Sequence, residues 1–426
     1  MFLELLIKLN NEILPLVYKI LLILSPILVP ILLIYIFGRV WVNYVQLKYI
    51  SSLKSFLYEI KIPKDIQKSP LAMEIILGAM QAGGAGSYQE AFLQGKVAGW
   101  FSLELASFGG DLHFYIWSSE GKFKDILQAQ IYAQYPTVEI NILKPDDDYV
   151  RKFKYNPDRN SLWGLQFGLS KADAYPIKTY VDYGLDKDQK DEYRIDPMTA
   201  ILELMGSLGQ GQQMWLQVLI KKHGEEGWKS HRLKTKPSWV EAALKEIEKI
   251  RLEATPQSKG EFPSFPNPTK GQVEKIAAIE RSLSKAAFDT MVRGLYLAEK
   301  ESFNSSYISG LIGSMKQYNS ETLNGFKLKF TTDVSDNFKD WCVIFPFLNK
   351  NKDRTIEKFK KQLFNAYRLR SYFYPPYKNY KNPSFVLTSE ELATIYHFPG
   401  NVSATPTLAK IPSKKSEPPA NLPIKK

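Results

Sequence analysis

Cysteine occurs once in the chain, at position 342, which excludes an intramolecular disulfide framework and any cysteine-based zinc cluster. Histidine is almost as scarce. Its four copies, at 113, 223, 231 and 397, stand singly and leave little for a histidine-rich metal site. No loop of the form G-x-x-x-x-G-K-[ST] is present, since Gly95-Lys96 and Gly121-Lys122 are followed by Val97 and Phe123. H-E-x-x-H, G-x-S-x-G and the calcium-loop pattern are missing too. Asp146-Asp147-Asp148 could only hold a cation if three adjacent side chains converged, so it reads as a solvated turn. The sequence therefore predicts no catalytic residues, no cofactor and no metal. Acidic residues are also in deficit, 44 against 56 Lys+Arg in 426 residues, and net +12 favours an acidic partner.

What is present begins with an uncharged run, ILLILSPILVPILLIYIF, from Ile20 to Phe37. Roughly 20 apolar residues cross a bilayer core, so residues 13–38 read as a transmembrane helix bent at Pro26 and Pro30. Its lipid-facing residues would be Ile20, Leu21, Leu22, Ile23, Leu24, Ile27, Leu28, Val29, Ile31, Leu32, Leu33, Ile34, Tyr35, Ile36 and Phe37. A cleaved leader fits less well, because no A-x-A-like site precedes Arg39. Lys48, Lys54, Lys61, Lys64 and Lys68 follow the span, and the positive-inside rule then puts the body in the cytoplasm. The expected location is the bacterial inner membrane, single-pass.

The body reads as one module written twice. Ser69-Pro70 opens LAMEIILGAMQ and Asp196-Pro197 opens MTAILELMGSL, each closed by glycines in the manner of a helix. Two strands follow each helix: WFSLELAS and LHFYIWSS around Gly109-Gly110-Asp111, then 214–220 and 290–298. A second helix, from Phe123 or Phe303, and a closing strand, 138–143 or 326–331, complete each copy. The offset between copies grows from 127 residues at the first helix to 180 at the last. The surplus is a helical insertion at 222–287, with a Ser238…Glu241 capping box and a linker containing Pro256, Pro263, Pro266 and Pro268. The predicted fold is α+β: an N-terminal transmembrane helix, then two duplicated α-β-β-α-β (ferredoxin-like) modules.

One stretch carries much of the excess charge. Lys350 to Lys381 holds ten Lys+Arg against Asp353 and Glu357, interleaved with aromatic residues. Such a segment can grip phosphates while its rings stack on bases, or it can be a packed helix with a solvated basic face. Lys358, Lys360, Lys361, Arg368, Arg370, Tyr372 and Tyr374 are the candidate contacts to nucleic acid or another acidic partner. Cys342, in the apolar run WCVIFPF, reads as buried and inert.

The C-terminal wording FVLTSEELATIYHFPG (385–400), Thr405-Pro406 and SEPPANLP (416–423) resembles the segment that leads into the ATPase of membrane-anchored type IV secretion and conjugation proteins. EIKIPKDIQKSPLAMEIIL (59–77), WFSLELASFGGDLHFYIW and QAQIYAQYPTVEI (128–140) are similar to a bacterial domain of unknown function found ahead of coupling-protein and HerA/FtsK-like motors. The Walker loop of those longer proteins has no counterpart here. The resemblance thus implies a non-catalytic accessory or scaffold protein, with a hexameric ATPase encoded separately, from a split gene or a truncated relative. Implied partners are the lipid bilayer, that motor and further copies of the chain. The alternative is a membrane-tethered nucleic-acid-binding protein acting through 350–381.

The expected organisation is an N-terminal segment (1–12), the membrane helix (13–38) and a juxtamembrane segment (39–68). A first module (69–195) and a second (196–348) come next. The basic aromatic helix with a C-terminal helix (349–400) and a Pro-rich tail (401–426) close the chain.

Overall fold

In the computed structural model, residues 14–63, 68–81, 84, 86–87, 89–187, 195–224, 238–254, 267–333 and 349–400 are described. Segment 1–12, His231, Pro256, Pro263, Pro266, Cys342 and the tail 401–426 lie outside them. The chain divides into two compact units, one of residues 1–52 and 85–97, the other of 53–84 and 98 onward.

The first unit is built on α1 (Leu14–Ser52), which runs unbroken through Pro26 and Pro30. Its stretch Leu22–Ser52 contains an 18-residue window with a mean hydropathy of 2.1 and no buried residue, and is long and apolar enough to cross a membrane. Every anchor candidate from Leu22 to Phe37 is exposed. Residues 89–97 fold against the other end of α1, where the Trp41 indole donates to the Phe92 carbonyl at 3.0 Å. A π-helical turn, Glu90–Gln94, ends at Gly95 with φ +71°. A Cβ at Gly95 would fall 2.2 Å from the Val45 backbone, so only glycine allows this close approach.

The second unit is α+β, organised on a nine-stranded sheet whose pairs are all antiparallel. Its first half contains β1 (Phe56–Lys61), α2 (Leu71–Ala79), β2 (Trp100–Phe108), β3 (Asp111–Ser118), α3 (Lys124–Gln134) and β4 (Glu139–Leu143). The second repeats that order with β5 (Asn160–Leu169), α4 (Thr199–Gly206), β6 (Gln212–Lys222), β7 (Ala287–Glu299), α7 (Ser306–Ser314) and β8 (Phe326–Thr331). Between β6 and β7 lie α5 (Trp239–Glu253) and α6 (Lys270–Leu283), opened by the Ser238/Glu241 and Thr269/Gln272 capping boxes. They pack through Ala243, Ile247, Ile250 and Ile279 against Ala174. The chain continues through α8 (Asn349–Arg368), β9 (Phe385–Thr388) and α9 (Ser389–Ile395).

Spatial order across the sheet is β4-β1-β3-β2-β6-β7-β5-β8, with β9 beside β7. The halves join where β2 meets β6, in register from Trp100↔Lys221 to Phe108↔Gln213. The β2–β3 hairpin turns on Gly109 and Gly110, φ +62° and +95°, as a two-residue turn with both central residues left-handed requires.

Two strands depart from the expected α-β-β-α-β order, because each half starts with a strand. Phe56–Lys61 lies in the stretch read as juxtamembrane, where its lysines looked like a topology signal. Asn160–Leu169 lies in the stretch read as the end of the first module. Its two glycines hide the strand pattern, and Gly164 has a packing reason. A Cβ there would sit 2.5 Å from Leu363 of α8 and 2.7 Å from Leu295.

Both faces of the sheet are covered. One face carries Phe101, Leu103, Leu105, Phe114, Ile116, Val218, Ile220 and Val292 into a single core with α2, α3, α4, α7 and α9. Alternate residues of the same strands face the other way, onto α8 and residues 145–155 and 370–382. There Trp215 stacks within 5.7 Å of Tyr367 and 6.3 Å of Phe364. Fully burying a side chain of this size contributes about 1.5–3 kcal/mol, so α8 belongs to the fold rather than hanging from it.

Candidate functional site: the α8 face

The face beneath α8 carries an unusual feature. One transverse row, read strand by strand, is polar from edge to interior: Asn141↔Glu59, Glu59↔Tyr115, Tyr115↔Glu104, Glu104↔Gln217, Gln217↔Arg293 and Arg293↔Gln166. Glu104, Gln217, Arg293 and Gln166 have no solvent exposure. Burying such groups costs several kcal/mol each unless they are paired. Their partners come from one another, from Ser102 and Tyr149, and from α8 and its C-terminal loop; among the described residues Gln166 Nε2 finds none.

Glu104 takes five hydrogen bonds. Its Oε1 accepts from Ser102 Oγ (2.6 Å), Gln217 Nε2 (2.6 Å) and Arg370 Nε (2.7 Å), and its Oε2 from the Tyr149 hydroxyl and an Arg370 terminal nitrogen (both 2.9 Å). Two further guanidinium hydrogens of Arg370 reach Asp148 at 2.7 and 3.1 Å. Burial opposes the charge on Arg370, but Glu104 and Asp148 outweigh it and hold the group far above its ordinary pKa. Asp148 is thus a buried ligand of Arg370, not part of a solvated turn, whereas Asp146 and Asp147 are exposed.

Arg370 reaches this position through an uncommon helix ending. Its N–H bonds the Tyr367 carbonyl and the Ser371 N–H bonds that of Ala366, the two bonds of a Schellman motif. The left-handed residue of that motif is usually glycine; here it is arginine, at φ +49°. Arg293 closes the same helix end from the sheet, donating to Ala366 O (2.8 Å), Ser371 O (3.2 Å) and Gln217 Oε1 (2.7 Å). Burial pulls its pKa down to about 10.

The seven candidate contact residues therefore part company. Lys358, Lys361 and Arg368 are exposed and Lys360 is half-exposed. Arg370, Tyr372 and Tyr374 are buried, and their polar atoms are engaged inside the fold: Tyr372 donates to Asn382 O at 2.7 Å, and Tyr374 accepts from Ala98 N at 3.1 Å. A guanidinium held by two buried carboxylates is not available to an external phosphate. Nothing in the local sequence separates Arg368 from Arg370; the difference comes from the helix ending between them.

A second polar cluster ties down α9. The Thr388/Glu391 capping box is formed, Glu390 meets Arg281 at 3.1 Å, and Glu74 meets Lys285 at 2.8 Å. Burial raises the Glu391 carboxyl to about 7. Among the described residues no group of three His, Cys, Asp or Glu is placed to hold a metal ion.

The exposed end of the polar row gives a pH response. His113 Nδ1 lies 2.7 Å from Glu59 and Nε2 lies 3.1 Å from Asp111, so both contacts are hydrogen bonds only in the imidazolium. Burial opposes that charge, yet the two carboxylates outweigh it and raise the ring above its ordinary pKa of 6.5. The bond from His113 in turn lowers Glu59. The stability from His113 is complete below 6.5 and is lost as pH rises through the folded value; that from Glu59 is lost as pH falls through its own. His113→Gln is expected to reduce the loss of melting temperature between pH 6 and about 8. Identical pH slopes for variant and parent would refute this assignment.

The class defined by these features is an α+β protein with an antiparallel sheet and an N-terminal apolar helix. Residues 84–410 match a family described as a domain of unknown function (DUF8128), and the chain belongs to that family. No curated protein matches it. Among solved structures it is similar to a berberine bridge enzyme variant described as a reticuline dehydrogenase. The match has 9% identity and a TM-score of 0.21, over 62% of this chain and 42% of that one. The chain spans less than half the length of that protein, and a likeness at this level carries no argument about fold or activity.

Proposed function

We propose that the protein is a membrane-anchored, non-catalytic scaffold of a bacterial type IV secretion or DNA-transfer system, which docks or organises a separately encoded hexameric ATPase at the cytoplasmic face of the inner membrane. The observation that carries the reading is α1, an exposed apolar helix joined to a large folded body. The basic residues after the apolar run support a cytoplasmic body. The inward use of Glu104, Asp148, Arg293 and Arg370 supports a structural role for these groups.

The two halves are read as copies of one ferredoxin-like module. Supporting this are the shared strand-helix-strand-strand-helix-strand order and the matching strand sequences β4-β1-β3-β2 and β8-β5-β7-β6. A body with two such halves offers a motor two similar helical surfaces, and a hexameric motor calls for several copies of the scaffold.

The test is biochemical. The full chain should stay in membranes through a carbonate wash, and after purification in detergent it should not hydrolyse ATP. Cross-linking before solubilisation should couple it to a Walker-type ATPase that lacks its own membrane helix. Release by carbonate defeats the anchor, and intrinsic ATP hydrolysis defeats the non-catalytic role.

A further inference from the structure

We propose that the solvent-facing ridge of α8 binds the phosphate backbone of double-stranded nucleic acid, through Arg354, Lys358, Lys361, Arg368 and Lys381, without reading bases. This goes beyond the scaffold reading, and either can fail alone.

α8 is two-faced. Leu363, Phe364, Ala366 and Tyr367 are buried against the sheet, while Arg354, Lys358, Lys361 and Arg368 are exposed. Steps of four, three and seven residues keep those four on one stripe, which at 1.5 Å per residue is about 21 Å long. Duplex DNA carries one negative charge per about 1.7 Å of axis, so a straight ridge of this length can meet several phosphates at once.

The charge on this ridge has little internal compensation. Glu357 accepts from Tyr155 at 3.2 Å and lies 3.8 Å from Lys361. Among the described residues no carboxylate is within ion-pair distance of Arg354, Lys358, Arg368 or Lys381. Lys381 is the most telling of them. Its ammonium sits 3.8 Å from the Phe359 ring centroid, 5.3 Å from that of Phe330 and 5.6 Å from that of Tyr380. Partial burial, and then the charge of Lys358, lower its pKa. Two cations are therefore held near each other, one of them partly desolvated over rings. A phosphate oxygen is the group that relieves such an arrangement.

The kind of partner follows from what the surface lacks. Binding single strands uses aromatic faces as stacking platforms, but Tyr367, Tyr372, Phe373 and Tyr374 are buried, Phe359 carries Lys381 on its face, and the half-buried Tyr377 and Tyr380 pack edge-on against each other. Lying in a membrane interface requires an apolar stripe beside the basic one, and among the described residues of α8 and its end Leu369 alone is a fully exposed large apolar side chain. Rigid backbone contact with a duplex remains.

The experiment uses the full chain in detergent micelles and a labelled duplex of about 30 base pairs, titrated across a salt series. The variant is Lys358→Ala, Lys361→Ala, Arg368→Ala and Lys381→Ala combined, with Lys245→Ala, Lys249→Ala, Lys300→Ala and Lys316→Ala, four exposed lysines outside α8, as the charge-matched control. Each phosphate contact contributes about 0.9 to the log–log salt slope, so the fourfold variant should lose about 3–4 from it and bind at least tenfold more weakly at moderate salt. The control should change far less. All substituted side chains are exposed, and an unchanged melting temperature confirms that the fold is retained. An unchanged slope in the fourfold variant overturns the proposal. So does absence of duplex binding at low salt, tighter binding to a single strand, or preference for phosphatidylglycerol vesicles over the duplex.

Discussion

Replacing Arg370 by methionine is expected to destabilise the folded body by about 3–5 kcal/mol, because two carboxylates stay buried without their cation. Glu104 would keep Ser102, Gln217 and Tyr149, but Asp148 would keep the Val150 amide at 3.3 Å and only the exposed Arg151 side chain, at 3.9 Å, as a cation. In a body of this size each kcal/mol moves the melting temperature by about 1–2 °C, so the drop should be about 4–6 °C. Arg370→Gly is the informative companion. Glycine relieves the left-handed backbone, worth about 1 kcal/mol or more, and matches the usual ending of a Schellman motif. If local backbone preference governs this position, Arg370→Gly raises the melting temperature; if the ion pairs govern it, the temperature still falls. We expect the fall. Adding Glu104→Gln and Asp148→Asn to Arg370→Met should recover part of it, since no unpaired charge then remains.

Arg293→Met should rank second, at about 3 kcal/mol. It strands two acceptors, the Ser371 carbonyl and Gln217 Oε1, each costing about 1–3 kcal/mol when buried unmet, less the gain from apolar packing, while the Ala366 carbonyl keeps the Ser371 amide. The damage should be local as well as global. Amide exchange at Arg370 and Ser371, whose N–H groups close α8, should accelerate more than exchange along β6. Arg293→Lys should recover little, because a single ammonium cannot span three divergent acceptors as a planar fork does. Losses from Arg293→Met and Arg370→Met should not add, since Gln217 bonds both Arg293 and Glu104.

The parts of this fold legible in the sequence are those specified by neighbours in the chain. The apolar run of α1, the capping boxes at Ser238 and Thr388, and the Gly109-Gly110 hairpin all depend on residues a few positions apart. Strands β2, β3, β6 and β7 were legible because their length and apolar content match buried sheet centres. β1 and β5 were not: lysines 54, 61, 64 and 68 in and around β1 obscure one, and glycines 164 and 168 the other. The polar row could not be read at all. Glu104 and Arg370 are 266 positions apart, and only the strand register brings Gln217 and Arg293 into line between them and α8. In WFSLELASF a lone glutamate looks like a solvent-facing residue of a half-exposed strand. It faces inward because α8 covers that side. The aromatic residues of 350–381 misled in the same way: their abundance was readable, but the side of the helix they occupy was not.

The pairing of β9 with β7 sets a timetable for making the protein. Residues 385–388 complete a sheet whose first strand begins at 56, and the cation for Glu104 is supplied only at 370. As the chain leaves the ribosome, α1 is available for capture by a membrane long before the second face of the sheet can close. Through most of synthesis the row of Glu104, Gln217 and Arg293 lies open to water and needs no partners. Contacts this distant in sequence make folding slow, and the body matures as a late, all-but-posttranslational event.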